Sequence, residues 1–155
     1  MILGRGYQDR FLDEAEVLSL FQEGLAQLAL KGKRVLVIIP DGTRSMPMSL
    51  CFHLLTKLLK GVAAKLDFLI ALGTHLRMSD QDILSHVGIT AQERQGEYAQ
   101  VGIFNHDWQH GLRDLGIIPA AEVVQLSRGF MTEDVHIEIN ERIFEYDQLI
   151  ICGPV

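Results

Sequence analysis

A mixed α/β fold built on a largely parallel sheet is predicted by three features of this sequence. Short, continuously apolar runs rich in branched residues alternate with segments of helical period along the first two-thirds of the chain, the pattern of strand–helix–strand units. Each early run ends in a polar loop rich in turn-forming residues. The last third changes texture to short strand-like segments, which add antiparallel strands near the C-terminus.

Val17, Leu18, Leu20, Phe21, Leu25, Leu28 and Ala29 recur at helical spacing, which predicts a helix over residues 13–30, stopped at Gly32. Arg34 to Ile39 is an apolar run suited to a strand covered on both faces. Helical period returns from Pro47 to Val62, with Leu54, Leu55, Leu58 and Leu59 on one side. Leu66 to Leu72 reads as a second buried strand, and Ser79-x-x-Asp82 as a capping box that opens a third helix. Gln100 to Phe104 reads as a third strand, followed by a polar loop from Asn105 to Arg113. Val123–Leu126, Val135–Ile139 and Gln148–Cys152 are strand-like. The whole is a Rossmann-like arrangement with helices on both faces of the sheet. The final run, Leu149 to Val155, is a core strand with the start of its exit loop and no covering helix, so a truncated domain is expected.

A chain of 155 residues with 48% hydrophobic and 22% charged residues can bury one sizeable core. No apolar run approaches the roughly 20 residues that cross a bilayer, and Met1-Ile2-Leu3-Gly4-Arg5 lacks the pattern of a secretion signal. A cytoplasmic protein is therefore expected. A net charge of −6 with scattered basic residues argues against nucleic acid as a partner. Two cysteines exclude a disulfide framework and a four-cysteine zinc site. Cys51 and Cys152 both lie in apolar surroundings and read as small core residues.

Chemistry-bearing residues collect in three strand exits: Pro40-Asp41-Gly42-Thr43-Arg44-Ser45-Met46-Pro47, Gly73-Thr74-His75-Leu76-Arg77-Met78-Ser79 and Asn105-His106-Asp107. Parallel strands would place these loops at one carboxyl edge, where open α/β proteins bind ligands. Arg44 offers a planar fork of donors suited to a carboxylate or phosphate. The helix N-termini after Pro47 and Ser79 would add backbone N–H groups for an anion. An imidazole at His75 is a natural proton carrier near neutral pH. Taken singly, each motif has a structural explanation: Asp-Gly-Thr is a common turn, and a loop histidine often bonds backbone. His53, His86 and His136 fall on expected helices or a strand, where satisfied structural roles are the usual case. Trp108 suits either a ligand cover or a core plug.

Taken together, the three motifs in this order resemble the lactate racemase family over most of the chain, about residues 34–154. The family's first motif is Asp-x-Thr-Arg-Pro-x-Pro and its second Gly-Thr-His-Arg-Pro-Met. Here Ser45 stands in place of the first proline, and Leu76-Arg77 replaces Arg-Pro, displacing the basic side chain by one position. The resemblance implies a racemase or epimerase of a small 2-hydroxyacid, an isomerase that uses a nickel-pincer nucleotide. It implies that His75 is one of two acid/base histidines, that Arg44 holds the substrate carboxylate or developing charge, and that Asp41 orients Arg44 or contacts the cofactor. Thr43 and Thr74 would shape the loops at the cofactor, and Arg77 and His106 would face substrate. The lysine that bears the cofactor, the nickel-ligand histidine, the second catalytic histidine and the second domain are not found in this sequence. The chain is accordingly expected to be a partial N-terminal catalytic domain, inactive without the C-terminal part of the same protein and holding no metal of its own.

Two other functions compete. One is a non-catalytic anion- or nucleotide-binding module centred on Arg44. The other is a metal-assisted hydrolase using His75, His106 and His110, for which adjacent loop positions do not define ligand geometry.

Overall fold

A computed structural model describes residues 2–154. The chain forms two compact units: a larger one from the segment up to His106 together with Tyr146 onward, and a smaller one from Asp107–Glu145.

In the larger unit, helix α1 spans Glu14–Leu25 and begins with a capping box in which Asp13 and Glu16 satisfy each other's backbone N–H. Strand β1 (Arg34–Pro40) leads to helix α2 (Met48–Leu59), strand β2 (Lys65–Ala71) and helix α3 (Asp80–Val87). A short helix α4 (Ala91–Gln95) precedes strand β3 (Gly102–Asn105). The smaller unit holds β4 (Leu112–Ile118), α5 (Ala120–Leu126), β5 (Val135–Asn140) and a 3-10 turn at Glu141–Glu145, after which β6 (Gln148–Ile151) returns to the larger unit. The main sheet is parallel in the order β3-β2-β1-β6, and β4 and β5 form a separate antiparallel pair. The expected α/β architecture, parallel sheet first and antiparallel strands later, is therefore the observed one.

Strand alternation sorts the core. Val35, Val37 and Ile39 of β1 stand level with Leu66, Phe68 and Ile70 of β2, so all six point to one face. Helix α2 covers that face with Cys51, Phe52, Leu55 and Leu59, all buried in the same cluster. Phe52 is fully enclosed, its ring 4.7 Å from that of Phe68 and 5.3 Å from that of Tyr98. Burial of one such aromatic is worth about 2–3 kcal/mol. The opposite face carries Asp67, which is 1% exposed. Its carboxylate accepts from the Tyr146 hydroxyl and the Gly102 N–H and pairs with Lys65, so β2, β3 and the approach to β6 are joined through one satisfied buried charge.

Helix α3 must pass close to α2, and Gly88 permits it. Gly88 caps α3 at φ +71°, and a Cβ there would lie 2.1 Å from Ser49 Oγ. The left-handed conformation and the missing side chain are both required.

Three local expectations were overturned. Helix α1 ends at Leu25, not near Leu30, because the chain turns after Gly24 and carries Leu30 into the core at 4% exposure. Val123–Leu126 is the end of helix α5 rather than a strand. Pro119 sits at its N-cap, the Asp134 carboxylate accepts the Ala120 N–H at 2.7 Å, and Val123 is the buried residue of that helix. The expected loop up to Arg113 already contains the start of β4. A bulge between Asp114 and Gly116 breaks the alternation by which that strand would be recognised.

Candidate active site

The sheet order defines where a ligand fits. From β1 the chain proceeds to β2 on one side, while β6 is laid on the other, so the switch point lies beyond the carboxyl ends of β1 and β6. A cleft of about 450 Å³ opens there, bordered by the exits of β1, β2 and β6. Asp41, Thr43 and Arg44 come from the first exit, Thr74 and His75 from the second, and Cys152, Gly153 and Pro154 from the third. A second cleft of about 530 Å³ shares Asp41, Thr43 and His75 and adds Arg77, Met78 and His86.

At the centre is a carboxylate–imidazole pair. Asp41 is 6% exposed, and its Oδ2 accepts from His75 Nδ1 at 2.6 Å. Its Oδ1 accepts from the Thr43 backbone N–H at 3.0 Å and from the Thr43 hydroxyl. The Thr43 hydroxyl, followed by the His75 ring, holds the Asp41 carboxyl down at about 2, well under its ordinary 3.8 and against the upward push of burial. Asp41 is thus a fixed anion at neutral pH, and it directs His75 into the tautomer with Nδ1–H. That leaves Nε2 to exchange a proton, on a side chain that is 58% exposed at the edge of both clefts.

Backbone contacts set this pair in place. Gly73 takes φ +58° at the β2 exit, and the His75 N–H closes a turn on the Leu72 carbonyl at 3.0 Å. The far end of that loop is clamped by Asn105, whose side chain accepts from the Met78 N–H and donates to the Met78 carbonyl, at 3.1 and 2.9 Å. His86 of α3 donates from Nε2 to the Pro40 carbonyl at 2.9 Å, just before Asp41. His53 is likewise engaged, with the Tyr98 hydroxyl and the Gly88 carbonyl.

The structure brings Asp41, Thr43, Arg44, Thr74 and His75 together at one cleft and places Arg77 at its neighbour. His106 lines neither; its backbone N–H bonds the Ile70 carbonyl at 3.0 Å. Asp41 is engaged with His75, a pairing that the sequence did not announce; the family resemblance implied that Asp41 orients Arg44 or contacts the cofactor. The two helix N-termini also differ. Pro47 provides no side-chain cap for α2, whereas in α3 the capping box satisfies the Ser79 and Asp82 N–H groups and Asp80 and Asp82 add negative charge, which disfavours an anion there. The β6 exit is a wall of the cleft that its sequence, an apolar run ending in Gly153-Pro154, did not announce. Trp108 is 45% exposed, so it plugs no core. His110 pairs with Asp107 at 3.4 Å in the smaller unit, and no group of three His, Cys, Asp or Glu residues suited to a metal occurs among the described residues.

Residues 14–155 match the model of the lactate racemase N-terminal domain. The chain belongs to the lactate racemase family. No curated protein sequence matches it. A Thermotoga maritima protein solved by structural genomics is similar, with 28% identity, a TM-score of 0.72 and coverage of 90% of this chain. The lactate racemase domain described here spans 33% of that protein's length. No helix among the described residues is long and apolar enough to cross a membrane.

Proposed function

We propose that this lactate racemase domain supplies the proton-handling and carboxylate-binding half of a 2-hydroxyacid racemase or epimerase, completed by the C-terminal part of the same protein. The observation that carries the reading is the Asp41–His75 contact at the sheet's switch point, in one cleft with Arg44.

The α-hydrogen of a 2-hydroxyacid is a poor acid, so removing it as a proton is slow. The chemistry that a nickel-pincer nucleotide supplies when bound is acceptance of that hydrogen as hydride. The residues present fit the anionic, nucleotide part of such a group. The Thr74 hydroxyl and the Arg44 guanidinium offer donors at the strand exits. Nickel ligation is not supplied by the described residues and is assigned to the rest of the protein.

The work of this chain is proton transfer and orientation. His75 Nε2 takes the hydroxyl proton as the carbonyl forms, and returns it when either face of the planar keto acid is reduced. Asp41 stabilises the resulting imidazolium across 2.6 Å. Thr43, with its hydroxyl proton directed to Asp41, positions that carboxylate. Arg44 pairs with the substrate carboxylate, and Arg77, at the second cleft beside His75, serves the distal end of a longer sugar acid. A cytoplasmic location accords with this chemistry.

The test uses the complete protein, loaded with cofactor, on each enantiomer of lactate by chiral chromatography. His75→Asn is expected to lower kcat by about 10²–10⁴-fold, and Arg44→Lys to raise KM more than it lowers kcat. An α-deuterated substrate should keep its label through racemisation. Full activity in His75→Asn, or complete loss of the label to solvent, would refute the proposal. The 155-residue chain alone is expected to be inactive.

A further inference from the structure

At the third strand exit, the residue that reaches the loops of the site is the amide and not the histidine. His106 lines neither cleft, whereas Asn105 extends to the loop that carries His75. Asn105 is the last residue of β3, level with Ile70 of β2, and the His106 N–H bonds the Ile70 carbonyl at 3.0 Å. The sheet thus fixes its backbone. Its side-chain oxygen accepts the Met78 N–H at 3.1 Å, and its NH2 group donates to the Met78 carbonyl at 2.9 Å. A carboxamide presents a donor and an acceptor at fixed separation, so it grips both peptide groups of Met78 at once.

The gripped backbone belongs to the site. The Met78 N–H is part of the Arg77–Met78 peptide bond, and both residues line the second cleft with His75. Upstream, His75 is held by Asp41 at Nδ1 and by its own N–H on the Leu72 carbonyl. Downstream, the Met78 side chain packs against the core cluster and Ser79 caps α3. Only Leu76 and Arg77 lie between these anchors in sequence, and Leu76 is 93% exposed. With so little packing along the span, hydrogen bonds at its ends must supply the geometry.

We propose that Asn105 is a positioning residue: by gripping Met78 it holds the Arg77 backbone and the His75 imidazole in the orientation that the reaction needs. Asn105 lines neither cleft, so it acts through these neighbours. The inference rests on the racemase reading of the site.

Trypsin cuts after arginine, so the Arg77–Met78 bond reports the grip directly. In native digestion of this chain with mass mapping, Asn105→Ala should be cut after Arg77 about 10-fold faster than wild type, ahead of its other sites. In the complete protein loaded with cofactor, the same variant should lower kcat on lactate by about 10–100-fold. KM should stay within about threefold, because Arg44 still meets the carboxylate. Asn105→Asp keeps the acceptor and the size but, once ionised, turns an anion toward the Met78 carbonyl. Protonation restores a donor, so its kcat relative to wild type should rise as pH falls towards about 4. A residue that only stabilised the fold would give no such rise at a temperature where both proteins are folded. If Asn105→Ala unfolds, Asn105→Asp decides by the same readouts. Cutting after Arg77 at the wild-type rate, or kcat within about twofold of wild type in both variants, would overturn the proposal. A wild-type protein that leaves both lactate enantiomers unconverted counts instead against the racemase reading, and the trypsin comparison then decides whether Asn105 holds the loop.

Discussion

Replacing Asp41 by asparagine tests the centre of the site without any cofactor. The substitution keeps an oxygen to accept the Thr43 N–H but removes the charge that faces His75. In the folded chain the Asp41 carboxyl is lowered from 3.8 to about 2. At about 1.4 kcal/mol per pH unit, that difference stabilises the native state by roughly 2 kcal/mol. Because the folded value lies below the unfolded one, the contribution is fully present above the unfolded value near 4. It is lost as pH falls through about 4 towards 2. Wild type and Asp41→Asn should therefore differ by about 2 kcal/mol at neutral pH and converge near pH 2. Urea unfolding followed by far-ultraviolet circular dichroism, run on both proteins across that range, measures the gap. Glu16 and Asp147 also have lowered carboxyl values, and the difference between the two proteins cancels their common acid response. A gap that stays constant from neutral pH to pH 2 would show that the Asp41 charge is not what couples the loop to the fold, and the reasoning would fail.

Other expectations follow from the same structure. Tyr146→Phe removes one donor from the buried Asp67 carboxylate and should cost about 1–3 kcal/mol, read as a shift in the urea midpoint. Gly88→Ala places a methyl group against Ser49 at φ +71° and should cost at least about 1–3 kcal/mol. Adding Ser49→Gly should recover the steric part and leave the left-handed strain. Phe52→Ala empties the space between Phe68 and Tyr98 and should cost about 3–5 kcal/mol in the same assay.

Much of the fold was legible because buried parallel strands need continuous apolar sequence. Arg34–Ile39 differs from β1 by one residue at one end, and Leu66–Leu72 differs from β2 by one residue at each end. Helix α2 was equally plain, since its leucines return every turn. The misses fall where the local signal was weak or mixed. Val123-Val124 favours strand by side-chain type, yet Pro119 and the Asp134 contact decide for helix. β4 carries a bulge, so its period of two is interrupted. Both lie in the smaller unit, where few residues are buried enough to enforce a pattern.

By itself, the sequence determined which residue types stand at each strand exit: a carboxylate and an arginine after β1, a histidine after β2, an amide at the end of β3 with a histidine just beyond it. Strand period and turn chemistry are local, so they can be read along the chain. Only the tertiary structure decided the partners. Asp41 meets His75 because β1 and β2 are adjacent and in register, so their exits emerge level. Asn105 became a clamp on the His75 loop and His86 a support for the Asp41 loop. Cys51 and Cys152 came to the same core cluster because β6 pairs with β1 beneath α2. Each contact closes a long loop in sequence, and its energy is gained only when the whole sheet has formed.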